Sequence, residues 1–393
     1  MRKMILGLAI LFCLFLSRVS YPGAAHAFLL GAETRGATIK INEESDLTFR
    51  LLLQPRLDTG EIIQNSSVTA YTTGSDLYMR RVRLEAAGHI VKDLKFNITL
   101  AADKWDRIGN KNEVTLHYAY LNYQFAPAFH IEYGKHKLPY SRVAMVSDTA
   151  QLLIEGPAST EAAKKLFGET DAYYQPVLKF GGSSGAGVFN YAIAVGDGWR
   201  NGENIHAGKT VEKAGTLLTG RLELSPPGWT EDKKSDAHLG KGRHATAGVN
   251  YAVQDSIKYK ENGYGEKREL FGFDLSGHYE SLEAQFGYNG WKEAYGDPAL
   301  SDKAPEGWYA QAGWFFPSYS VEPAVRYEVY DQDSNAKDKK ERSRTVGLNW
   351  YLKGHSAKLS ANWVHTGYEK KAKGWFAADK DRDMVQVQGQ IYF

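Results

Sequence analysis

Basic residues recur on the polar side of alternating segments of this chain. In residues 78–85, Arg81 and Arg83 lie two positions apart, and the apolar Val82 and Leu84 alternate with them. A strand with this pattern presents both guanidinium groups to one side, and guanidinium groups bind oxyanions in a bidentate manner. The same alternation elsewhere completes the set that we predict to line an interior and attract small anions: Arg50, Arg56, Arg81, Arg83, Lys95, Arg221, Arg326 and Lys358.

Acidic residues on the same polar faces leave a second interpretation open. They are Glu85, Asp103, Glu223, Glu283 and Glu328. If these carboxylates neutralise the basic residues, the interior would be only weakly selective. Both interpretations involve non-covalent binding of ions.

Catalytic and metal-binding motifs are not apparent. None of the 11 histidines belongs to a His-Glu-x-x-His pair, which is the spacing of a helical zinc site. Isolated histidines such as His89, His117, His130 and His244 are typical of polar lumen or rim residues. We therefore predict that the protein is not an enzyme and that it has no metal and no cofactor.

The N-terminus has the pattern of a secretory signal peptide. Arg2 and Lys3 precede an apolar run at residues 4–16, and Ala25-His26-Ala27 supplies small residues at the −3 and −1 positions. Cleavage after residue 27 would remove Cys13, the single cysteine, so the mature chain would contain no disulfide. It would also take the 48 basic residues of the chain to 45, against 46 acidic ones, because Arg2, Lys3 and Arg18 are lost.

The elements that position the basic residues are predicted to be strands. A mean hydropathy of −0.44 excludes a bundle of membrane helices, and 39 Gly, 24 Tyr and 12 Pro favour aromatic-rich strands joined by turns. Period-2 segments of about 9–11 residues, with aromatic residues near their ends, are typical of membrane barrels. A soluble β-sandwich also alternates, but with shorter loops.

We therefore predict an all-β fold, a transmembrane antiparallel β-barrel with an inward-folding loop. The domains are a signal peptide (1–27), an N-terminal periplasmic segment (28–45) and the barrel (46–393). The 366 residues after position 27, at roughly 22 per strand and connection, give about 16 strands, although 14 or 18 also fit. Residues 139–174 lack clean alternation and are the candidate constriction loop, with a short helix near residues 160–167. Arg80 has the parity of an outward residue and is interpreted as a snorkelling strand end.

Several segments resemble one known family. They are residues 78–85, 119–121, 134–142, 307–313, 326–328, 346–351 and the C-terminal Gln390-Ile391-Tyr392-Phe393. In this order they are similar to the phosphate-selective porin O and P family of Gram-negative outer membranes. The resemblance implies a 16-stranded, usually trimeric channel that passes small anions. It also implies that Lys137 and Arg142 lie on an inward segment that narrows the channel, and that Tyr392 and Phe393 form the insertion signal read by the barrel-assembly machinery.

The expected function is that of a water-filled outer-membrane channel for passive diffusion of small solutes, with an anion preference that could extend to phosphate. Its expected partners are outer-membrane lipid, small anionic solutes, the barrel-assembly machinery and two further copies of the chain, without nucleic acid. The alternative is a barrel that sheathes a partner such as a multihaem cytochrome. No Cys-x-x-Cys-His motif is present, so in that case the haem would come from the partner.

Overall fold

A computed structural model describes residues 36–64, 71–168, 173–205, 208–233, 235–375 and 381–393. The predicted signal peptide, with Cys13 and its cleavage site, lies outside these residues. The same holds for positions 28–35 of the predicted periplasmic segment. The remainder of that segment contains a short strand, β1, that pairs with the first barrel strand.

Strands dominate the described residues. They are β1 (Ala37–Lys40), β2 (Asp46–Gln64), β3 (Tyr71–Val91), β4 (Leu94–Ala101), β5 (Thr115–Ala126), β6 (Phe129–Lys137), β7 (Tyr174–Ser184), β8 (Phe189–Gly196), β9 (Asn204–Ile205), β10 (Lys209–Lys213), β11 (Leu217–Leu224), β12 (Arg243–Tyr259), β13 (Gly265–Tyr279), β14 (Leu282–Tyr295), β15 (Glu306–Trp314), β16 (Val321–Asp331), β17 (Lys340–Lys353), β18 (Ala357–Tyr368) and β19 (Asp381–Tyr392). Two short helices, α1 (Arg142–Met145) and α2 (Ala158–Ala163), follow β6, and a 3₁₀ turn spans Gly185–Gly187. Within the described ranges, no helix is both long and apolar enough to span a membrane.

The strands close into a barrel. Each pairs antiparallel with its neighbours from β2 to β8 and from β11 to β19, with β8 joined to β11. The last strand, β19, then pairs with β2, for example Val387 with Leu57. The described residues thus form a closed barrel of 16 strands, which confirms the predicted fold class and strand number. Closure matters because an open edge in lipid would leave backbone groups unsatisfied.

The two faces of the barrel wall have opposite chemistry. On β13 the apolar Phe271, Phe273 and Leu275 are exposed on the outside, whereas Asp274 and Ser276 are buried. This is the arrangement expected for a wall with lipid outside, since an outward Arg or Lys at the bilayer midplane costs about 2–4 kcal/mol. Polar side chains therefore point inward along the strands.

The two ends of the barrel differ in the length of their connections. Residues 92–93, 127–128 and 280–281 make tight turns at one end, and residues 102–114 and 138–173 make long connections at the other. Barrels of this kind place short turns in the periplasm and long loops outside. One connection breaks the rule, because residues 225–242 form a long segment at the short-turn end.

The alternation had placed Arg80 on the lipid side of its strand. In the structure Arg80 does not point to the lipid. The pairing of β2 with β3 contains a bulge, in which Gln54 pairs with Arg81 and the next residue, Pro55, pairs with Met79. Arg80 is the extra residue, and a bulge turns such a residue away from its regular face. Its Nε lies 2.8 Å from an oxygen of Glu155, so Arg80 and Arg81 contact the same interior segment.

Candidate functional site in the barrel interior

A segment between β6 and β7 contacts the inner wall on many sides. We call residues 138–168 the loop segment. Its Ser141 backbone N–H donates to Asn250 (3.0 Å), and its Leu152 carbonyl accepts from Asn349 (2.8 Å). Its polar partners include residues of eleven strands, β2, β3, β6, β7, β12–β14 and β16–β19: Gln54, Arg81, Lys137, Gln175, Asn250, Asp274, Asn289, Arg326, Asn349, Lys358 and Gln390.

Glycines on the inner wall make room for this segment. A Cβ at Gly313 of β15 would lie 2.7 Å from Leu152, and one at Gly347 of β17 would lie 2.5 Å from Leu153. Both leucines are buried in an apolar cluster with Phe315. Burial of a leucine stabilises a protein by about 1.5–3 kcal/mol. Because Gly313 and Gly347 have no side chain, the inner wall has room for Leu152 and Leu153.

The arginine-rich strand β3 forms ion pairs with two carboxylates of the loop segment. Asp148 lies 2.7 Å from Arg83 and 3.2 Å from Arg81. Burial alone would raise the pKa of Asp148, but Arg81 and Arg83 lower it well below its ordinary value. Arg83 also pairs with Asp103 at 2.6 Å. Two of the predicted anion-binding residues thus have carboxylate partners within the chain.

Glu155 connects the same segment to β2 and β3. It pairs with Arg80 and, through a short contact, with Arg56, which also lies 2.7 Å from Asp58. Burial would raise the pKa of Glu155, yet Arg80 and Arg56 lower it well below its ordinary value. The loop segment is therefore fastened to this side of the wall by charge.

The predicted basic residues on the opposite wall are also paired. Arg221 makes two contacts of 2.7 Å with Asp274 and one of 2.8 Å with Glu223. β12 lies between the strands of Arg221 and Asp274 and carries Gly248 at this level. A Cβ at Gly248 would lie 2.3 Å from the Arg221 guanidinium. Arg326 lies 3.4 Å from Glu328 and donates to the Glu155 carbonyl at 2.8 Å.

The remaining predicted residues have different surroundings. Lys358 is buried and donates to the Gln151 carbonyl at 3.3 Å. Lys137 does not lie on the inward segment, as the resemblance implied, but is the last residue of β6, and it donates to the Val146 and Met145 carbonyls of that segment at 2.9 and 3.2 Å. Arg50 pairs with Glu85 on the neighbouring strand. Lys95 is exposed on β4, opposite His89 and Asn122.

A cavity of about 260 Å³ lies between the loop segment and the wall. Three basic residues, Arg50, Arg83 and Lys137, line it together with the carboxylates Glu85 and Asp148. Tyr392, one of the two predicted insertion-signal residues, also lines it. The other, Phe393, closes the barrel through backbone hydrogen bonds with Leu51 of 2.7 and 3.1 Å.

A second interior segment was not foreseen from the sequence. Residues 225–242, of which residue 234 is not described, enter from the short-turn end and are called the turn segment. The N–H groups of Asp236 and Ala237 donate to the Ala150 carbonyl at 3.1 and 3.0 Å. Arg142 of the loop segment, a residue predicted to lie on an inward segment, pairs with Asp236 and donates to the Lys233 and Ser235 carbonyls. The two segments thus meet inside the barrel.

One signal for the turn segment was available in the sequence. Alternation stops after Leu224 and resumes only at Arg243, which is a long interval for the short-turn end. Reasoning from strands alone also missed the partners that the arginines find, Asp148 and Glu155, because both lie in a stretch without periodicity. The fully buried Arg268, which donates to the Leu166 carbonyl at 2.6 Å, was missed as well.

Contrary to the expectation that catalytic motifs are absent from the sequence, Ser183 has the spacing of a hydrolase nucleophile, Gly-x-Ser-x-Gly, at Gly181–Gly185. A nucleophile elbow places such a serine on a sharp turn between a strand and a helix. Here Ser183 and Ser184 are the last residues of β7, and the chain continues through the 3₁₀ turn into β8. The run is therefore part of a strand and its turn, and it does not form an elbow.

A closed 16-stranded barrel with lipid-type residues outside and polar residues inside defines an outer-membrane channel of the porin class. A profile of the family "phosphate-selective porin O and P" matches residues 49–261 and 277–393. The chain belongs to this family, as its sequence motifs had predicted. Membership indicates a Gram-negative outer-membrane protein that allows passive diffusion.

Individual relatives agree with this assignment. An uncharacterized protein of Aquifex aeolicus (strain VF5) is 35% identical over 378 residues, which cover 88% of this chain and 87% of that protein. An anion-selective porin from Comamonas acidovorans has a similar fold, with a TM-score of 0.63 at 14% identity, covering 89% of this chain and 100% of the other. The trimer form of OmpT of Vibrio cholerae gives a TM-score of 0.58 at 10% identity, covering 89% and 100%.

Proposed function

We propose that this porin passes small anions in preference to cations. The cavity beside the loop segment carries the proposal, since three basic residues face two carboxylates there. Of these, Lys137 has hydrogen bonds to the neutral carbonyls of Met145 and Val146. A basic surplus at a constriction raises the local concentration of anions and lowers that of cations.

The carboxylates of the wall and of the loop segment limit the strength of this preference. Asp148, Asp103 and Glu85 each compensate an arginine at the cavity or beside it. The preference for anions over cations then depends on the small surplus of basic groups at the cavity and is moderate. The similarity to the anion-selective porin of Comamonas acidovorans agrees with an anion preference, but at 14% identity it concerns the fold alone.

The reversal potential of purified protein in a planar bilayer under a KCl gradient tests the proposal. We expect a chloride-favouring potential for the wild type. One unit charge about 6 Å from the ion path changes the energy of an ion by ~0.7 kcal/mol in water. Lys137→Gln raises the energy of an anion and lowers that of a cation by this amount, so it should lower the Cl⁻/K⁺ permeability ratio roughly tenfold.

Lys337→Gln is the matched control, because it removes one lysine charge from an exposed position in the connection between β16 and β17, outside the cavity. It should leave the ratio near the wild-type value. A cation-favouring wild type would overturn the anion preference, and equal ratios for both variants would place the cavity outside the conduction path. Block by added phosphate would identify the permeant class as including oxyanions.

The loop segment constricts the channel, and three copies of the chain assemble. The contacts of the loop segment with eleven strands support the first statement. The family and the trimer form of OmpT support the second. Analytical ultracentrifugation of the detergent-solubilised barrel tests the assembly, and a monomer at all concentrations would contradict it.

Export and insertion follow the sequence patterns at the two termini. Residues 1–27 are removed on export, so the mature protein begins at Phe28, as N-terminal sequencing would detect. The barrel-assembly machinery reads Tyr392 and Phe393, so deletion of Phe393 should reduce the amount of heat-modifiable barrel in the outer membrane. Normal amounts would contradict this role.

No observation favours the cytochrome sheath. A sheath needs interior space for its partner, whereas the loop and turn segments contact inward side chains around most of the wall. The channel therefore accounts better for the interior that the described residues form.

A further inference from the structure

Three buried side chains with metal-binding atoms meet where the turn segment touches the wall. His238 belongs to the turn segment, His278 is near the end of β13, and Glu283 is at the start of β14. They are 1%, 2% and 0% exposed, and one ligand atom of each lies within 4.8 Å of the others. A buried cluster of this composition is uncommon unless its members are paired or hold an ion.

The hydrogen bond of His238 fixes which of its nitrogens has a free lone pair. Nε2 lies 2.7 Å from the Glu280 carbonyl, and a carbonyl only accepts, so Nε2 carries the hydrogen. In the neutral ring, Nδ1 is then unprotonated, and it faces Glu283 Oε2 at 3.3 Å. Two acceptors face each other here, and an ion or a proton between them would relieve the repulsion.

The same arrangement is found around metal-bound histidines. Such a histidine donates its other ring N–H to a carbonyl or carboxylate, which orients the ring. The 3.3 Å between Nδ1 and Oε2 is close to the separation of two ligands that lie 2.0–2.1 Å from one tetrahedral ion, about 3.3 Å. The ring of His238 is thus oriented and spaced for shared coordination.

His278 supplies the third ligand atom. Its ring stacks on that of His238, with centroids 3.9 Å apart. Its Nδ1 lies 2.6 Å from Nδ1 of His244, and its buried Nε2 makes no hydrogen bond of good geometry, although the Lys241 backbone approaches the ring. When His278 donates to His244 through Nδ1, its Nε2 is unprotonated and can act as a ligand.

The charge around the cluster favours a cation. Gln285 donates to both Glu283 and Asp236 at 2.7 Å. One oxygen each of Asp236 and Glu322 is buried without a hydrogen-bond partner. The basic groups close to these carboxylates are Arg142, which pairs with Asp236, Lys358, whose charge acts on Glu322 and Asp236, and Arg326, whose charge acts on Asp236. Among the described residues the ion-pair contact of Glu283 is with His238, so a divalent ion would compensate its buried negative charge.

We propose that His238, His278 and Glu283 bind a divalent transition-metal ion, of which Zn²⁺ is the best match. Two imidazoles and one carboxylate are a ligand set that zinc accepts, with water completing the tetrahedron. The lone pairs of the two imidazoles lie in their ring planes, so the stacked rings must rotate before both can point to one ion. Because His238 is on the turn segment while the other two ligands are on the wall, the ion fastens the turn segment inside the barrel.

Zinc binding by the purified barrel tests the site. Protein treated with chelator and dialysed is titrated with ZnCl₂ by calorimetry, and with Co²⁺ by visible absorption. We expect one Zn²⁺ per chain and an intense visible Co²⁺ spectrum typical of a tetrahedral site. His238→Ala and Glu283→Gln should each weaken Zn²⁺ binding at least tenfold.

His365→Ala is the control, since His365 pairs with Asp383 on another part of the wall. It should bind zinc like the wild type, and heat-modifiable migration checks that every variant is folded. A wild type without saturable Zn²⁺ binding would overturn the proposal and leave a protonated Glu283 as the donor to His238. Equal affinities of His238→Ala, Glu283→Gln and the control would overturn it as well.

Discussion

The two interior segments enter from opposite ends and are held by different chemistry. The loop segment is fastened to β2 and β3 by ion pairs, in which Asp148 and Glu155 face four arginines. The turn segment is held by backbone hydrogen bonds to Ala150, by buried histidine contacts and by Arg142. One attachment is thus mainly electrostatic and the other mainly backbone and imidazole.

The pKa values express the same difference. Neighbouring arginines lower the pKa values of Asp148 and Glu155 well below their ordinary range against the effect of burial. For Asp236 of the turn segment, burial dominates over Arg142 and raises the pKa. The carboxylates of the loop segment therefore stabilise the folded state as anions, whereas burial makes the anionic form of Asp236 less favourable than it is in water.

The largest expected effect comes from the charge that holds the loop segment. Asp148→Asn removes the carboxylate shared by Arg81 and Arg83 and leaves two buried guanidinium groups with less compensation. Breaking a buried ion pair costs about 3–5 kcal/mol. We expect a lower midpoint of thermal unfolding and a larger single-channel conductance as the segment loosens.

Glu161→Gln is the matched control on the same segment. Glu161 forms an i,i+3 pair with Lys164 and is 40% exposed, and exposed pairs contribute less than about 1 kcal/mol. If Asp148→Asn behaved like this control, the ion pairs would not be what holds the loop segment.

The next effect concerns the contact between the two segments. Arg142→Gln removes the pair with Asp236 and the bonds to the Lys233 and Ser235 carbonyls. Hydrogen bonds to charged groups contribute about 1.5–3 kcal/mol. Hydrogen exchange should therefore accelerate in residues 225–242, and less in residues 142–156, which keep their pairs with β3.

Arg243→Gln provides the comparison, because Arg243 donates to the Gly228 carbonyl at an exposed site of the turn segment. It should change exchange only near residue 228. Acceleration confined to the loop segment in Arg142→Gln would reverse the assignment of which segment depends on this residue.

Acidification tests the ion pairs that hold the loop segment. A carboxylate with a lowered pKa contributes stability that is present above its ordinary pKa and is lost as the pH falls through the lowered value. The ordinary values are 3.8 for Asp148 and 4.5 for Glu155. Conductance should hence stay constant from pH 7 to about 5 and rise only in stronger acid.

The same titration of Asp148→Asn should show a weaker acid transition, since one of the two carboxylates is gone. A rise in wild-type conductance between pH 7 and 5 would show that a group other than these carboxylates controls the loop segment. The bilayer recording is made at constant KCl, because screening also changes ion-pair strength.

The wall of the barrel could be predicted from the sequence, and the reason is local. Alternation at Val385, Val387 and Ile391 predicted a strand at the C-terminus, and β19 spans Asp381–Tyr392. Side chains of a strand alternate between its two faces, so a period of two in hydrophobicity depends only on which residues of the strand face the lipid. The bulge at Arg80 escaped prediction because an extra residue does not interrupt the composition of the strand.

The interior could be predicted only in part, because its contacts are distant in sequence. Residues 139–174 were expected to fold inward, and one helix near residues 160–167 was expected, where α2 spans Ala158–Ala163. The pairs of Asp148 with Arg81 and of Arg142 with Asp236 join residues 67 and 94 positions apart. No periodicity indicates such partners. Similarly, the carbonyl of Lys233 accepts from the buried Arg142, 91 positions away in the sequence.

The smallest expected effect tests whether the edge of the turn segment contributes to its attachment. Lys233→Gln removes a hydrogen bond of 2.9 Å from the ammonium group to the Gly187 carbonyl, which connects the segment to the turn before β8. The side chain is partly exposed, so the loss of stability should stay below about 1 kcal/mol. Its backbone carbonyl, the acceptor for Arg142, is retained. Thermal unfolding and hydrogen exchange of residues 225–242 should therefore remain near the wild type. A loss as large as that of Arg142→Gln would mean that the turn segment is held from its rim, and the contrast between a charge-fastened loop segment and a backbone-fastened turn segment would fail.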